Sequence, residues 1–336
     1  MLNISFHSKL NEAVKQNLAF CLIRKPNEVV IELFVQDHSS KNKVLMHSFD
    51  SKMEKWIADE NPISIHQKEF DFESKLKFPK AKKIHPKTEQ EYQELIQQTI
   101  EDIQNSELKK VVISRKKQVE NFRISIFETY RNLLKNHPNA LVFLWQNPNE
   151  ETWIGATPEL LLSQESNKVK TVSLAGTKLP EADWTEKELE EQQIVTDFIV
   201  TNFRGLGNLE VKGPETIQAG KFHHLKTYIS AEVSDNFSLK NLLKEMHPTP
   251  ALCGMPKQDA FEYILQNEGY DREFYSGYIG IEQADSKQYF VNLRSAQIFE
   301  DKIWIYVGGG ITAESNPEKE WMETELKSGT ILNSLV

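Results

Sequence analysis

The hydrophobic and polar positions of the first 80 residues follow the short period of β-strands. Apolar runs and alternations at residues 19–23, 29–36 and 44–48 predict three strands, with a polar turn at 38–42 between the last two. We therefore expect residues 1–80 to form a β-rich section. It would pack on, or be continuous with, a larger unit made by residues 81–336.

The pattern changes to a helical period at residue 88. Thr88 and Glu91 form a predicted capping box ahead of a helix that runs to about Ile103, and Ser125 and Glu128 form a second one. Beyond the first helix, the predicted helices are at 125–135, 186–203, 239–246 and 257–267, and the predicted strands are at 110–115, 140–145, 152–156, 160–163, 169–174, 278–282, 289–298 and 303–307. Antiparallel hairpins combined with helices favour an α+β sandwich over a doubly wound parallel sheet.

Composition limits the partners of the chain. It has 336 residues and a formal net charge of -9, which argues against a nucleic-acid surface. Two cysteines, Cys21 and Cys253, are too few for a disulfide framework or a Cys-rich zinc site. The N-terminal residues lack a signal-peptide layout, and the apolar run at 18–23 is far too short to span a membrane. We therefore expect a soluble cytoplasmic protein.

Three charged residues share one face of a predicted C-terminal helix. A glycine-rich turn at 308–310 precedes the helix, and Asn316 is its predicted N-cap. Glu320, Glu323 and Lys327 are three and four residues apart, so they point together toward the glycine backbone. Carboxylates, a cation and bare N–H groups suit a divalent ion and a carboxylated ligand. On helix statistics alone, a solvated helix with an ordinary Glu323–Lys327 pair is more common.

Two further acids are candidate site residues. In the predicted helix at 186–203, Glu191 shares a face with an expected buried stripe that begins at Ile194 and Val195. A carboxylate there needs a partner or a metal ion, unless it reaches water at the edge of the stripe. Glu159 follows a strand and a Thr-Pro break, so partial burial would raise its pKa and make it a general acid. The alternative is an exposed turn acid.

Three basic residues are candidates as well. Lys110 opens a buried strand, where a lysine can lose its proton and act as a base; the alternative is a strand-edge lysine. Because Lys109 is adjacent, the assignment is uncertain by one residue. Arg294 interrupts the predicted strand at 289–298 and is either a carboxylate clamp or an outward-facing residue. His224 is the weakest candidate, because such a histidine is more often a hydrogen-bonded core residue than a catalyst.

Taken together, segments across residues 85–335 resemble the chorismate-utilising enzymes: isochorismate and salicylate synthases, and the synthase subunits for anthranilate and aminodeoxychorismate. The matching stretches are Lys110-Val-Val-Ile-Ser-Arg115, Ala156-Thr-Pro-Glu-Leu-Leu-Leu162, Leu174-Ala-Gly-Thr177, Lys187-Glu-Leu-Glu-Glu-Gln-Gln-Ile-Val195, His224-Leu225, His247-Pro-Thr-Pro-Ala-Leu-Cys-Gly-Met-Pro256, Asp271-Arg-Glu-Phe-Tyr-Ser-Gly-Tyr-Ile-Gly280, Asn292-Leu-Arg-Ser-Ala296, and the glycine turn followed by Glu320-Trp-Met-Glu-Thr324. The resemblance implies the chorismate-binding α+β fold, with large antiparallel sheets packed as a sandwich and helices outside.

Within the family, the stretch from His247 to Leu252 closely resembles the isochorismate synthase form of its motif. Lys110 occupies the place of the lysine that activates water, where ammonia-using members typically carry glutamine. The resemblance therefore implies an isomerase that converts chorismate to isochorismate for menaquinone or siderophore biosynthesis. It would be a monomer without an amidotransferase subunit.

The resemblance also implies roles for the candidate residues. Lys110 would take a proton from the water that attacks C2, and Glu159 would protonate the departing C4 hydroxyl. Mg²⁺ would be held by the implied metal ligands, Glu191, Glu323 and Glu320, the last directly or through water. The implied substrate-binding residues are Arg294, Lys327, Gly308, Gly309, Gly310, Thr177 and His224.

One departure from the family pattern is visible, and alternatives stay open. Relatives often carry Glu-His at the metal glutamate, whereas this chain has Glu190-Glu191-Gln192. A salicylate synthase would share Lys110 and would add pyruvate elimination. A non-catalytic chorismate-binding homologue would lack an acid, a base or a metal ligand. An anthranilate-type subunit with an amidotransferase partner is disfavoured by Lys110.

Overall fold

The computed structural model describes residues 5–37, 42–81, 84–120, 124–148, 150–178, 180–181, 183–219 and 222–336, apart from the side chains of residues 177, 187, 219 and 222. The predicted turn at 38–42 lies outside these ranges except for Asn42. The α-helices are α1 (Phe6–Gln16), α2 (Glu89–Gln104), α3 (Ile126–Asn136), α4 (Glu186–Phe203), α5 (Leu239–Met246), α6 (Lys257–Asn267) and α7 (Pro317–Leu332). A short 3-10 helix covers Gln67–Glu69.

The strands form two large antiparallel sheets. The strands are β1 (Phe20–Arg24), β2 (Val30–Val35), β3 (Lys43–His47), β4 (Glu54–Ala58), β5 (Ile63–His66), β6 (Lys110–Glu120), β7 (Leu141–Asn147), β8 (Glu151–Thr157), β9 (Leu160–Glu165), β10 (Lys168–Lys178), β11 (Gly207–Ala219), β12 (Phe222–Glu232), β13 (Gly254–Met255), β14 (Tyr278–Glu282), β15 (Ser286–Val291), β16 (Ser295–Ile298) and β17 (Lys302–Ile311). Sheet I has the order β13-β6-β17-β16-β8-β7-β1-β2-β5, and sheet II has the order β11-β12-β10-β9-β15-β14-β3-β4.

The two sheets pack face to face, and the helices cover their outer faces. Apolar side chains from both sheets meet between them, including Trp145 and Trp153 of sheet I and Phe290 of sheet II. Helices α1 and α3 pack on one outer region of sheet I, α2 and α6 on another, and α4 and α5 on sheet II. The predicted α+β sandwich with outer helices is therefore confirmed. Strands β1, β2 and β5 complete one end of sheet I, and β3 and β4 complete one end of sheet II.

Two adjacent chain segments cross between the sheets at what we call the corner, residues 157–159 and 292–294. The chain passes from β8 in sheet I to β9 in sheet II, and from β15 in sheet II back to β16 in sheet I. The predicted single strand at 289–298 is therefore wrong. The strand breaks because Arg294 adopts φ 48°, a left-handed conformation that ends the extended backbone.

The glycines at 308–310 are inside a strand, and the prediction of a turn there is wrong. Gly308, Gly309 and Gly310 pair with Ser114, Ile113 and Val112 of the long strand β6. A Cβ at Gly308 would lie 2.8 Å from the carbonyl oxygen of Ile113. Glycine is therefore needed at Gly308 because β6 packs closely against it, and not because the chain turns.

Some of the predicted helix starts are confirmed and others are wrong. The capping box of α2 is present, since the Thr88 hydroxyl accepts from the Glu91 N–H at 3.2 Å and the Glu91 carboxylate accepts from the Thr88 N–H at 2.7 Å. The N-cap of α7 at Asn316 is also confirmed. The second predicted capping box is wrong, because the Ser125 hydroxyl makes no cap bond and contacts Glu73 at 3.3 Å instead. Helix α1 was not predicted.

Candidate active site

The corner fixes Glu159 and Arg294 through backbone hydrogen bonds. The Val291 N–H donates to the Glu159 carbonyl at 2.9 Å, and the Ala156 N–H donates to the Arg294 carbonyl at 3.1 Å. The buried Thr157 hydroxyl donates to the Val291 carbonyl at 2.5 Å. Both predicted site residues are therefore held where neighbouring strands cross from one sheet to the other.

Glu159 has the electrostatics of an acid that keeps its proton. Burial raises the pKa of Glu159 to about 7, although the positive charges of Arg294 and Lys110 act in the opposite direction. Its carboxyl group is thus within electrostatic reach of both basic candidates. A carboxylic acid with such a pKa can donate a proton near neutral pH.

Arg294 connects the corner to the C-terminal helix. Its guanidinium donates to the Thr330 hydroxyl of α7 at 3.4 Å. Burial lowers the pKa of Arg294, while the neighbouring Tyr275, Glu323 and Glu159 raise it. Of these neighbours, Glu159 belongs to the corner and Glu323 to α7. A ligand bound at Arg294 would therefore lie between these two acids.

Lys110 lies at the start of β6 and contacts Glu191 of α4. Its Nζ is 3.3 Å from Glu191 Oε1, with 24% of the lysine side chain and 44% of the glutamate side chain exposed. A Cβ at Gly310 would come within 2.6 Å of Lys110 Cε, so this glycine leaves room for the lysine side chain. Lys109 is exposed. Of the two lysines, Lys110 is therefore the one that contacts an acidic candidate residue.

The buried stripe of α4 differs from the prediction. Ile194 is 44% exposed, whereas Val195 and Ile199 are buried and the stripe begins at Gln192, which is 2% exposed. Gln192 belongs to the stripe because its amide is fully satisfied: it accepts from the Ala175 N–H at 2.7 Å and donates to the Thr227 hydroxyl at 3.0 Å. Glu191 therefore lies beside the stripe and not on it.

Helix α7 places two carboxylates and a lysine over the glycines of β17. Lys327 Nζ donates to the Gly308 carbonyl at 2.9 Å and is 2.5 Å from Glu323 Oε1. Glu320 accepts from the Ser315 hydroxyl at 2.8 Å. A Cβ at Gly309 would lie 2.9 Å from Glu320 Oε2. The prediction that this helix face points at the glycine backbone is confirmed, although the glycines lie in a strand.

Glu320 and Glu323 are close enough for their charges to interact. Burial raises the pKa of Glu320, and the nearby charge of Glu323 raises it further. A cation between the two would remove this repulsion, and oxygen ligands are those that Mg²⁺ prefers. Across the described part of the chain, no three Asp, Glu, His or Cys side chains converge as a metal cluster. Glu191 is instead held by Lys110, and Glu323 by Lys327.

His224 and Thr177 face each other across β10 and β12. His224 is half-buried, and burial lowers its pKa, with the charge of Arg294 acting in the same direction. His224 therefore belongs to the same electrostatic neighbourhood as the corner. The side chain of Thr177 lies outside the described residues.

Sequence reasoning missed three residues that contact, anchor or electrostatically influence the candidates. Ser315 binds Glu320, Gln192 anchors α4 next to Glu191, and Tyr275 contributes to the electrostatics of Arg294. Of the three, only Gln192 could have been predicted from the sequence, because the helical period places it on the same face as Val195. The contacts of Ser315 and Tyr275 depend on tertiary packing.

Residues 27–336 match the family model described as chorismate binding enzyme. The chain is 29% identical over 327 residues to isochorismate synthase MenF of Haemophilus influenzae, covering 93% of this chain and 73% of that protein. It is 31% identical over 269 residues to isochorismate synthase DhbC of Bacillus subtilis, covering 73% and 68%.

Solved structures of similar fold are found as well. The Bacillus anthracis protein assigned as a 2,3-dihydroxybenzoate-specific isochorismate synthase superposes with a TM-score of 0.80 at 25% identity, covering 98% of this chain and 99% of that one. Menaquinone-specific MenF of Escherichia coli shares the fold with a TM-score of 0.81 at 19% identity, covering 94% and 88%. The chain therefore belongs to the chorismate-binding enzyme family, as an enzyme of the isochorismate synthase type.

Proposed function

We propose that the protein is a Mg²⁺-dependent isomerase that converts chorismate to isochorismate. The observation that carries the proposal is the combination of Glu159, whose pKa is about 7, with Lys110 within electrostatic reach of it. An acid that keeps its proton and a nearby amine are the two groups that exchange of a hydroxyl for water requires.

Lys110 is the proposed base. Its Nζ would accept a proton from water as the water oxygen bonds to C2 of chorismate. Before doing so, Nζ has to give up its contact with Glu191, so binding in the site must offer that carboxylate another partner. The lysine side chain itself occupies the space over Gly310, where a Cβ would come within 2.6 Å of its Cε.

Glu159 is the proposed acid. As the C2–O bond forms and the ring double bonds shift, the C4–O bond breaks and Glu159 donates its proton to the departing hydroxyl, which leaves as water. One water enters and one leaves, so the reaction is an isomerisation. The corner hydrogen bonds would keep the carboxyl group in place during this step.

Glu191, Glu320 and Glu323 are the residues that would hold Mg²⁺. When bound, the ion would supply positive charge for a substrate carboxylate that the acidic helices would otherwise repel. Arg294 and Lys327 would bind the second carboxylate of chorismate. Peptide groups of Gly308–Gly310 would assist them, and His224 and Thr177 would line the site near the leaving group.

The product would supply menaquinone or siderophore biosynthesis, since relatives of both kinds are found. One structural neighbour is described as menaquinone-specific, and one relative, from Vibrio cholerae, as vibriobactin-specific. We also propose that the protein works in the cytoplasm as a monomer without an amidotransferase subunit. No helix in the described ranges is long and apolar enough to cross a membrane.

Product analysis tests the proposal. Purified protein would be incubated with chorismate and Mg²⁺, without ammonia or glutamine, and the products separated by chromatography. We expect isochorismate alone, and its loss on addition of EDTA. Salicylate with pyruvate would identify a salicylate synthase instead. No turnover under any of these conditions would favour a chorismate-binding protein without catalysis.

A further inference from the structure

Arg115 of β6 contacts one side of helix α7 and takes no direct part in the proposed chemistry. Its guanidinium carbon lies 3.7 Å from the centre of the Trp321 ring. Its Nε donates to the Thr324 hydroxyl at 2.9 Å, and its Nη2 donates to the Glu325 carboxylate. Arg115 is 2% exposed, and Thr324 is fully buried. One side chain thus contacts three residues of α7 through both hydrogen bonds and stacking.

The residues that Arg115 contacts alternate with the proposed metal ligands along α7. Successive residues of a helix are rotated by about 100°, so 321, 324 and 325 form a face adjacent to the one that carries 320, 323 and 327. A rotation of α7 by one residue would turn 321 and 324 toward the place that 320 and 323 now take, and would turn the two glutamates away from it. The contacts of Arg115 are thus made by the orientation of α7 in which Glu320 and Glu323 point at Gly309.

The same strand also carries the proposed base. Lys110 and Arg115 are five residues apart on β6, roughly 17 Å in an extended strand. Their side chains leave opposite faces of the sheet, because the two positions differ by an odd number. Strand β6 thus carries the proposed base on one face and contacts α7 through Arg115 on the other.

We propose that Arg115 is a positioning residue that sets the rotation of α7 and thereby the placement of Glu320 and Glu323 for cation binding. This inference rests on the proposed function, in which these carboxylates hold Mg²⁺. An arginine suits the task better than a lysine, because its planar group can stack on Trp321 while it donates in two directions. Lysine would keep the charge and lose this geometry.

The test compares Arg115→Lys and Arg115→Met with the wild-type chain in Mg²⁺ titrations. Binding of Mg²⁺ to the protein without substrate would be measured by calorimetry. The Mg²⁺ concentration that gives half-maximal turnover, the Mg²⁺ midpoint, would be measured at saturating chorismate. We expect both variants to raise the Mg²⁺ midpoint about 10-fold or more, as loss of a group that orients metal ligands does. The KM for chorismate should change less than the Mg²⁺ midpoint.

Arg131→Lys is the matched control. Arg131 of α3 also pairs with a glutamate, Glu73, and donates to the Phe72 carbonyl at 3.1 Å, and neither of these partners belongs to α7. This variant should keep the wild-type Mg²⁺ midpoint. If Arg115→Met does not fold, Thr324→Val removes the acceptor of Arg115 Nε together with the bond that the same hydroxyl donates to the Trp321 carbonyl within α7. It should still raise the midpoint by a few-fold, the effect of one hydrogen bond.

Two results would overturn the inference. A folded Arg115→Lys or Arg115→Met protein with the wild-type Mg²⁺ midpoint would show that Arg115 only stabilises the fold, and so would Thr324→Val with an unchanged midpoint. Failure of the proposed function is a separate result: the wild-type chain itself would then neither bind Mg²⁺ nor need it for turnover.

Discussion

The two halves of the site are built in different ways. At the corner, Glu159 and Arg294 are fixed by backbone hydrogen bonds between strands that change sheets, and burial shifts the pKa of both. On the helices, Glu191 and Glu323 are half-exposed and each contacts a lysine. The two corner residues are partly buried and belong to hydrogen-bonded backbone, whereas Glu191 and Glu323 form ion pairs with long lysine side chains.

The two halves suit two different tasks, proton transfer at the corner and ion binding on the helices. A proton donor must have its pKa set before the substrate arrives, and a buried, backbone-anchored carboxyl group achieves this. Carboxylates that bind a dication must exchange their partners, so half-exposed groups paired with lysines suit them. The following predictions test whether the two halves really differ in this way.

The largest effect is expected at Lys110, where the two halves meet. Lys110→Ala should reduce kcat by about 10²- to 10⁴-fold, because no other group would take the proton of water. Binding of chorismate and the unfolding temperature should change little. Lys109→Ala is the matched control, since Lys109 is exposed and the adjacent lysine faces the site. Retained turnover in Lys110→Ala would reject its role as the base.

Glu159→Gln should have the next largest effect and tests the corner directly. We expect a loss of about 10²-fold or more, because glutamine keeps the shape but has no proton to give. In the wild-type protein the acid works protonated, and the pKa of Glu159 is about 7. The pH profile of kcat/KM should therefore fall as the pH rises through about 7.

The residual activity of Glu159→Gln gives the control for that profile. It should lose the descending limb near pH 7, because the titrating group is gone. An unchanged limb in this variant would assign the ionisation to another group, and the corner would then not supply the acid.

Glu323→Ala should act on the helix side alone. We expect the Mg²⁺ midpoint to rise by about 10- to 100-fold, with partial recovery of turnover at high Mg²⁺. Glu318→Ala is the control, because Glu318 is an exposed acid in the first turn of the same helix. Equal Mg²⁺ titrations of Glu323→Ala and wild type would remove Glu323 from the ion site, whereas a shift with Glu318→Ala would show a general charge effect.

The sequence predicted the helix side better than the corner. Helical spacing places Glu320, Glu323 and Lys327 on one face whatever surrounds them, so local periodicity was sufficient for α7. The corner depends on a change of sheet between β15 and β16. The residues from 289 to 298 read as one apolar strand, and only the left-handed conformation of Arg294 reveals the break.

The other wrong predictions also come from tertiary contacts that override a local sequence pattern. Glycine after a strand usually marks a turn, but here β6 provides a partner for all three glycines, so tertiary pairing overrides the local signal. Ile194 is exposed although it is apolar, because Gln192 takes the buried position through its hydrogen bonds. The choice of Glu191 over Glu190 drew on this stripe as well as on the family motif, so its proposed role now rests on the motif and on the contact with Lys110.

Gly309→Ala should give the smallest and most selective effect. A Cβ at Gly309 meets Glu320 Oε2 at 2.9 Å, the end of a flexible side chain that can move away at little cost to folding. We expect a few-fold rise in the Mg²⁺ midpoint with nearly unchanged stability. Gly308→Ala is the comparison: its Cβ would meet the Ile113 carbonyl oxygen at 2.8 Å, and backbone cannot move aside so easily. It should cost about 1–3 kcal/mol of the free energy of unfolding. If thermal unfolding and Mg²⁺ titration gave the same changes for both variants, the glycines would serve strand packing alone, and the carboxylates of α7 would not depend on the space above Gly309.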